Sequence, residues 1–177
     1  FVIYIGMTFA YGDLYLNNSE IKDGVWVANP VVEKAGIKTG DKILAVDGIK
    51  IKKFDEINEK ILLAKEVTIE RSGAEQKVAL PVDFIDKLMK GGKISIVELR
   101  VPFVVTGTEE NSPNKNSIQP KDIITNFNGT PVKYADELLA LVKEVKGKKV
   151  PVIVKREDKE VALTLTVNDS AKMGIGY

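Results

Sequence analysis

The chain contains no histidine and no cysteine, and these two absences exclude much chemistry. No imidazole general base, HExxH zinc site, thiol nucleophile, zinc finger, iron–sulfur cluster or disulfide can be assembled from these residues. The lack of cysteine is compatible with an extracytoplasmic location. An excess of one charge is also missing. Twenty-six Lys and Arg residues face 25 Asp and Glu, for a net charge of +1. A nucleic-acid partner is therefore not expected, because such domains carry a clustered basic excess. No long hydrophobic run is present either. The apolar content of 44% nevertheless rules out a disordered chain and suffices for one compact domain or two small ones.

The most apolar stretch is Phe1 to Gly12 (FVIYIGMTFAYG), which ends at the first charged residue, Asp13. As a helix it would rise about 18 Å against a bilayer core of roughly 30 Å, too little to span. Two readings stand. It is the outer end of a longer membrane helix, with Tyr4, Phe9 and Tyr11 suited to the interfacial aromatic belt. Alternatively it is a buried edge strand, since Val2, Ile3, Tyr4, Ile5 and Phe9 favour strands.

What the chain does contain is a repeat. Gly36-Ile37-Lys38-Thr39-Gly40-Asp41-Lys42-Ile43-Leu44-Ala45-Val46-Asp47-Gly48 recurs, 81 residues on, as Ser117-Ile118-Gln119-Pro120-Lys121-Asp122-Ile123-Ile124-Thr125-Asn126-Phe127-Asn128-Gly129. Ile51 returns as Val132, and Asp55-Glu56-Ile57 as Asp136-Glu137-Leu138. With a two-residue adjustment, Asn29-Pro30 matches Ser112-Pro113, and Lys77-Val78-Ala79-Leu80 matches Glu160-Val161-Ala162-Leu163. A period this long exceeds a solenoid unit and has the size of a small domain, so two tandem copies are expected.

Each copy has one layout. A short strand (Val25 to Val27, then Phe103 to Val105) leads to an Asn-Pro or Ser-Pro turn. In the first copy a short helix, Val31 to Ala35, follows and ends at Gly36, a C′ glycine. An apolar strand (Ile43 to Val46, Ile123 to Phe127) runs into Asp47-Gly48 or Asn128-Gly129, a strong hairpin signal. A one-sided helix starts near Asp55 and near Asp136, with Ile57, Ile61 and Ala64 or Leu138, Leu141, Val142 and Val145 on its apolar face. Two alternating strands close each copy. Val67 and Ile69 pair with Val78, Leu80 and Val82, and Val152 and Val154 pair with Val161, Leu163, Leu165 and Val167. The expected class is mainly β with short helices, α+β, as a small antiparallel barrel or sandwich.

The run from Asn29 to Gly48 resembles bacterial-type PDZ domains. It follows the family's small-Pro-Ala-x-x-Ala-Gly-apolar-x-x-Gly-Asp-x-Ile-x-x-Val-Asn-Gly pattern with every spacing kept. The second copy departs from it, with a shortened helix, Ser117 for the glycine, and Lys121 before Asp122. The resemblance implies two tandem, circularly permuted PDZ domains at residues 13–97 and 98–177, after an apolar stub at 1–12. The order of stub, Tyr11-Gly12-Asp13, two units and Met173-Gly174-Ile175-Gly176-Tyr177 resembles the extracytoplasmic segment of a bacterial site-2 protease. That family comprises intramembrane zinc metalloproteases. This implies an excised segment without catalytic residues or metal ligands of its own, on the periplasmic face of the inner membrane. It further implies zinc in the parent protein and partnership with the parent's membrane-embedded catalytic part.

A PDZ groove works by strand addition: an extended peptide fills the gap between an unpaired strand edge and a helix. Backbone N–H groups in a turn can hold its terminal carboxylate. The resemblance implies that the groove strand comes late in each unit. In the first it would use Gly92, Ile94 and Ile96 from the stretch Gly91 to Ile96, facing Ile57 and Ile61. In the second it would use Met173, Gly174 and Ile175, facing Leu138 and Val142. The expected partner is a polypeptide substrate or a peptide C-terminus. Beside this stands the plainer expectation that the four helix residues are simply core, and that Gly91-Gly92 is a turn. Asp83 to Lys90 has helical spacing and reads as a linker. Trp26 reads as core, Lys155 to Glu160 as a solvated hairpin tip, and Asp41 and Asp122 as turn aspartates bonding local backbone.

Three functional readings follow. The chain regulates substrate access in an intramembrane protease, by peptide binding or by size; it is the peptide-binding pair of a periplasmic serine protease or secretion scaffold; or it is a structural tandem with blocked grooves.

Overall fold

The computed structural model describes residues 16–90 and 95–177. The expectations placed on the stub at 1–12, on Tyr11-Gly12-Asp13, and on Gly91, Gly92 and Ile94 lie outside the described residues. The chain divides between Leu99 and Arg100 into two compact units.

The first unit starts with a 3-10 turn, Asn18–Glu20, and strand β1, Val25–Trp26. Helix α1, Pro30–Lys34, begins where its sequence says a helix should. The Asn29 side chain accepts the Val31 N–H at 2.9 Å, and Pro30 fills the first turn, where its missing N–H costs nothing. Strands β2, Lys42–Val46, and β3, Ile49–Lys50, form a hairpin around Asp47 and Gly48, whose φ angles of 47° and 78° are those of a type I′ turn. Helix α2, Glu56–Leu62, leads to β4, Glu66–Arg71, and β5, Ala74–Ala79, giving sheet order β3-β2-β4-β5. After helix α3, Phe84–Lys90, strand β6, Glu98–Leu99, returns to pair with β1.

The second unit repeats this plan. Strand β7, Gly107–Thr108, is followed by β8, Ile123–Phe127, β9, Thr130–Pro131, helix α4, Ala135–Glu144, then β10, Lys149–Arg156, and β11, Lys159–Thr166. The sheet order is β9-β8-β10-β11, and the closing strand β12, Ile175–Gly176, pairs with β7. The likeness extends to irregularities. Leu44 is left over where β2 pairs with β4, and Thr125 is left over where β8 pairs with β10. Both bulged residues accept a hydrogen bond just past their hairpin: the Leu44 carbonyl from Ile51 N–H at 3.0 Å, the Thr125 carbonyl from Val132 N–H at 2.9 Å. Among the described residues the fold is mainly β with four short helices, three in the first unit and one in the second, which matches the class read from the sequence.

Each unit has its own core. The first gathers Val32, Ile37, Ile43, Ile57, Ile61, Val67, Ile69 and Ile96; the second gathers Phe103, Ile124, Phe127, Leu138, Val152, Val154 and Leu165. Full burial of one such side chain stabilises by about 1.5–3 kcal/mol.

Several local expectations change. Asp83 to Lys90 forms the expected helix but is no free linker, because Phe84 and Leu88 are buried in the first core. Strand β5 stops at Ala79; Pro81 has no N–H to continue the ladder, and Val82 is fully exposed. Trp26 is half-buried rather than core. In the second unit Phe103 to Val105 contributes only an isolated bridge, Val104 with Ile123. The role of Val25 falls to Val105: each donates its N–H at 2.8 Å, to the carbonyls of Asp41 and Asp122 respectively.

Candidate functional site

In both units the helix after the central hairpin and the late strand segment meet in one apolar cluster. Ile57 and Ile61 of α2 join Ile96 in the first, all without accessible surface. Leu138 and Val142 of α4 join Met173 in the second, with Ile175 packed against them and Gly174 half-buried. Of the residues singled out, Ile57, Ile61 and Ile96 share one cluster and Leu138, Val142 and Met173 the other, while Gly92 and Ile94 lie outside the described residues. The fold shuts these side chains into the core, as the plainer reading expected. The late strand also offers backbone groups toward the helix, at Val97 in the first unit.

In the first unit that backbone is occupied. Asn58, half-buried on α2 beside Ile57, accepts the Val97 N–H on Oδ1 and donates Nδ2–H to the Val97 carbonyl, both at 2.9 Å. Pattern reading missed Asn58, although asparagine inside a short helix is itself a signal, since the residue disfavours helix interiors.

In the second unit the start of the late strand is pinned from below. The Met173 carbonyl accepts from Ser112 Oγ at 3.1 Å and Asn114 Nδ2 at 2.7 Å. Asn114, 1% exposed, also pairs with both backbone groups of Thr166, at 2.7 and 2.8 Å. Gly174 (φ 63°) follows; a Cβ there would lie 2.8 Å from Ser112 Oγ, so only glycine fits this approach. Tyr177 stacks on Phe103 with centroids 4.4 Å apart.

The two turn aspartates do bond local backbone: Lys38 N–H donates to Asp41 at 2.7 Å, and Gln119 N–H to Asp122 at 2.9 Å. Their larger role was not foreseen. Arg71 and Arg156 each clamp the corresponding carboxylate through Nε and Nη2, with all four bonds at 2.7 Å. Arg156 beside it holds the Asp122 carboxyl below the ordinary range, against the upward push of burial. These are structural pairs. At the start of α4, Arg100 plays a similar part, bonding Asp136 and Glu137 and lying over the Tyr134 ring.

Residues 92–167 match the family model described as PDZ domain. The chain carries a PDZ domain. This PDZ-containing chain is also homologous to two proteins each named "Putative zinc metalloprotease". It is 26% identical over 168 residues to the one from Neisseria meningitidis serogroup A, covering 88% of this chain and 36% of that protein. It is 30% identical over 158 residues to the one from Treponema pallidum, covering 84% and 35%. The chain therefore spans about a third of the length of these relatives. A crystal structure of the PDZ domain of an SdrC-like protein from Listeria monocytogenes aligns with 41% of the chain and 82% of its own, at 20% identity and TM-score 0.37.

Among the described residues no three acidic groups converge on one point, and the whole sequence has no histidine or cysteine. Among the described residues, no helix is long and apolar enough to cross a membrane.

Proposed function

We propose that this chain is the non-catalytic PDZ segment of a site-2-type zinc metalloprotease, placed on the extracytoplasmic side of the membrane, where it governs which polypeptides reach the zinc. The observation that carries this reading is the reach of the match. Both zinc metalloprotease relatives align with most of this chain, yet the chain spans only about a third of either. The relatives thus have room outside the shared region for a metal centre. Strand addition along the seam between helix and late strand supplies a way to hold an extended polypeptide, and a short peptide bound so reaches about −8 kcal/mol, in the micromolar range.

The test uses the full-length protein in membranes, with this segment deleted. The expected result is zinc-dependent proteolysis that persists with a changed range of substrates. Loss of bound zinc on deletion, or an unchanged range of substrates, would overturn the reading. A flanking reading frame that encodes a soluble serine protease domain would favour the periplasmic alternative.

A further inference from the structure

In an antiparallel ladder, successive residues turn their amide groups to opposite edges. Val25 spends its N–H on Asp41 and its carbonyl on Gly40, both at 2.8 Å, so it faces away from β6. Trp26 is left to pair with Glu98. The alternation then turns Val97 to the far edge, toward α2. This is the edge on which an incoming strand would lie, and Asn58 already takes both of its backbone groups.

A primary amide has one acceptor and one donor in the same plane as a peptide group, so it can stand in for one residue of an added strand. At the matching position of α4, 81 residues on, stands Leu139, half-buried, whose side chain can neither donate nor accept. The second unit has no such stand-in there.

We propose that Asn58 is a built-in ligand that closes the edge of the first unit, so that a partner polypeptide is received by the second unit, at Ile175 beside α4, since the carbonyls of Gly174 and Gly176 are turned to Glu109 and Thr106 and that of Met173 is held by Ser112 and Asn114. This rests on the strand-addition reading above and adds which copy performs it. The partner is an extended peptide. It must displace two hydrogen bonds to enter the first unit, which lowers its affinity there by roughly 10- to 100-fold relative to an open edge.

The experiment selects short random peptides with free C-termini on the full chain and on its Asn58→Ala and Asn58→Leu variants. The best binders are then titrated into isotope-labelled protein and followed by amide shifts. In the unaltered chain, shifts confined to residues 100–177 are expected. In the variants a second site appears around Val97, its amide exchanging faster before peptide is added and being protected afterwards. Asn58→Leu keeps α2 packed should Asn58→Ala loosen it. A peptide that shifts Val97 in the unaltered chain overturns the inference, as does failure of both variants to gain a first-unit site. Binding by the variants at Val97 with none in the second unit upholds the Asn58 closure, overturns the assignment to the second unit, and counts against the strand-addition reading there.

Discussion

Arg156 grips Asp122 through two parallel hydrogen bonds of 2.7 Å, and the carboxylate they hold has no exposed side-chain surface. The same fork, Arg71 on Asp41, stands in the first unit. Each joins the turn before the central strand to the end of the neighbouring strand. A carboxylate this deep is stable only while its partner remains.

Arg156→Met should therefore cost about 3 kcal/mol at neutral pH, by stranding a buried charge. The pH dependence has a definite sign. The folded state holds Asp122 ionised to lower pH than the unfolded chain, where an aspartate titrates near about 3.9. Its contribution is complete above that value and fades as pH falls through the folded value. Urea unfolding at pH 7 and pH 3 checks this: the gap between unaltered and Arg156→Met protein should shrink at pH 3, and an equal gap at both would refute it.

Lys121 occupies a backbone conformation (φ 73°) that Gly40 provides in the first unit (φ 93°). A lysine there carries strain of about 1–3 kcal/mol. Lys121→Gly removes it, less about 0.5–1 kcal/mol of extra chain entropy. The Lys121 N–H bond to Val105 is retained. A net gain of up to about 2.5 kcal/mol is expected, read as a higher urea midpoint with unchanged slope.

Gly24 allows no side chain. A Cβ there would lie 2.3 Å from the Gly40 carbonyl oxygen and 2.6 Å from that of Asp41, at φ 71°. Because both obstacles are backbone, Gly24→Ala should cost about 3 kcal/mol or more. Amide exchange should rise throughout residues 16–90, with residues 100–177 keeping their protection.

Asn114 satisfies the Thr166 amide group and the Met173 carbonyl together. Asn114→Leu leaves buried groups unpaired at about 1–3 kcal/mol each. The second unit should lose stability, and Met173 to Gly176 should exchange fastest. Exchange that rises no more there than in β10 would show that Asn114 does not hold this segment.

Much of the architecture was legible because it is written in local chemistry. Asp47-Gly48 and Asn128-Gly129 force hairpins through their positive φ angles. Asn29-Pro30 starts a helix, and the spacing of Ile57 and Ile61, or Leu138 and Val142, tells which face is buried. The recurrence of these signals revealed the duplication. The end of β5 and the replacement of Phe103 by Val105 as counterpart of Val25 were not legible. They depend on which backbone groups find partners far along the chain.

The amino-acid order alone determined that the protein is two copies of one mainly β unit without histidine or cysteine chemistry, since periodicity, turn chemistry and missing residue types are properties of the chain itself. Only the tertiary structure decided that Asn58 meets Val97, and that Arg71 and Arg156 reach Asp41 and Asp122. Hydrogen bonds between residues 30 or more apart in sequence arise only when folding closes the loop between them, and no local pattern encodes that closure.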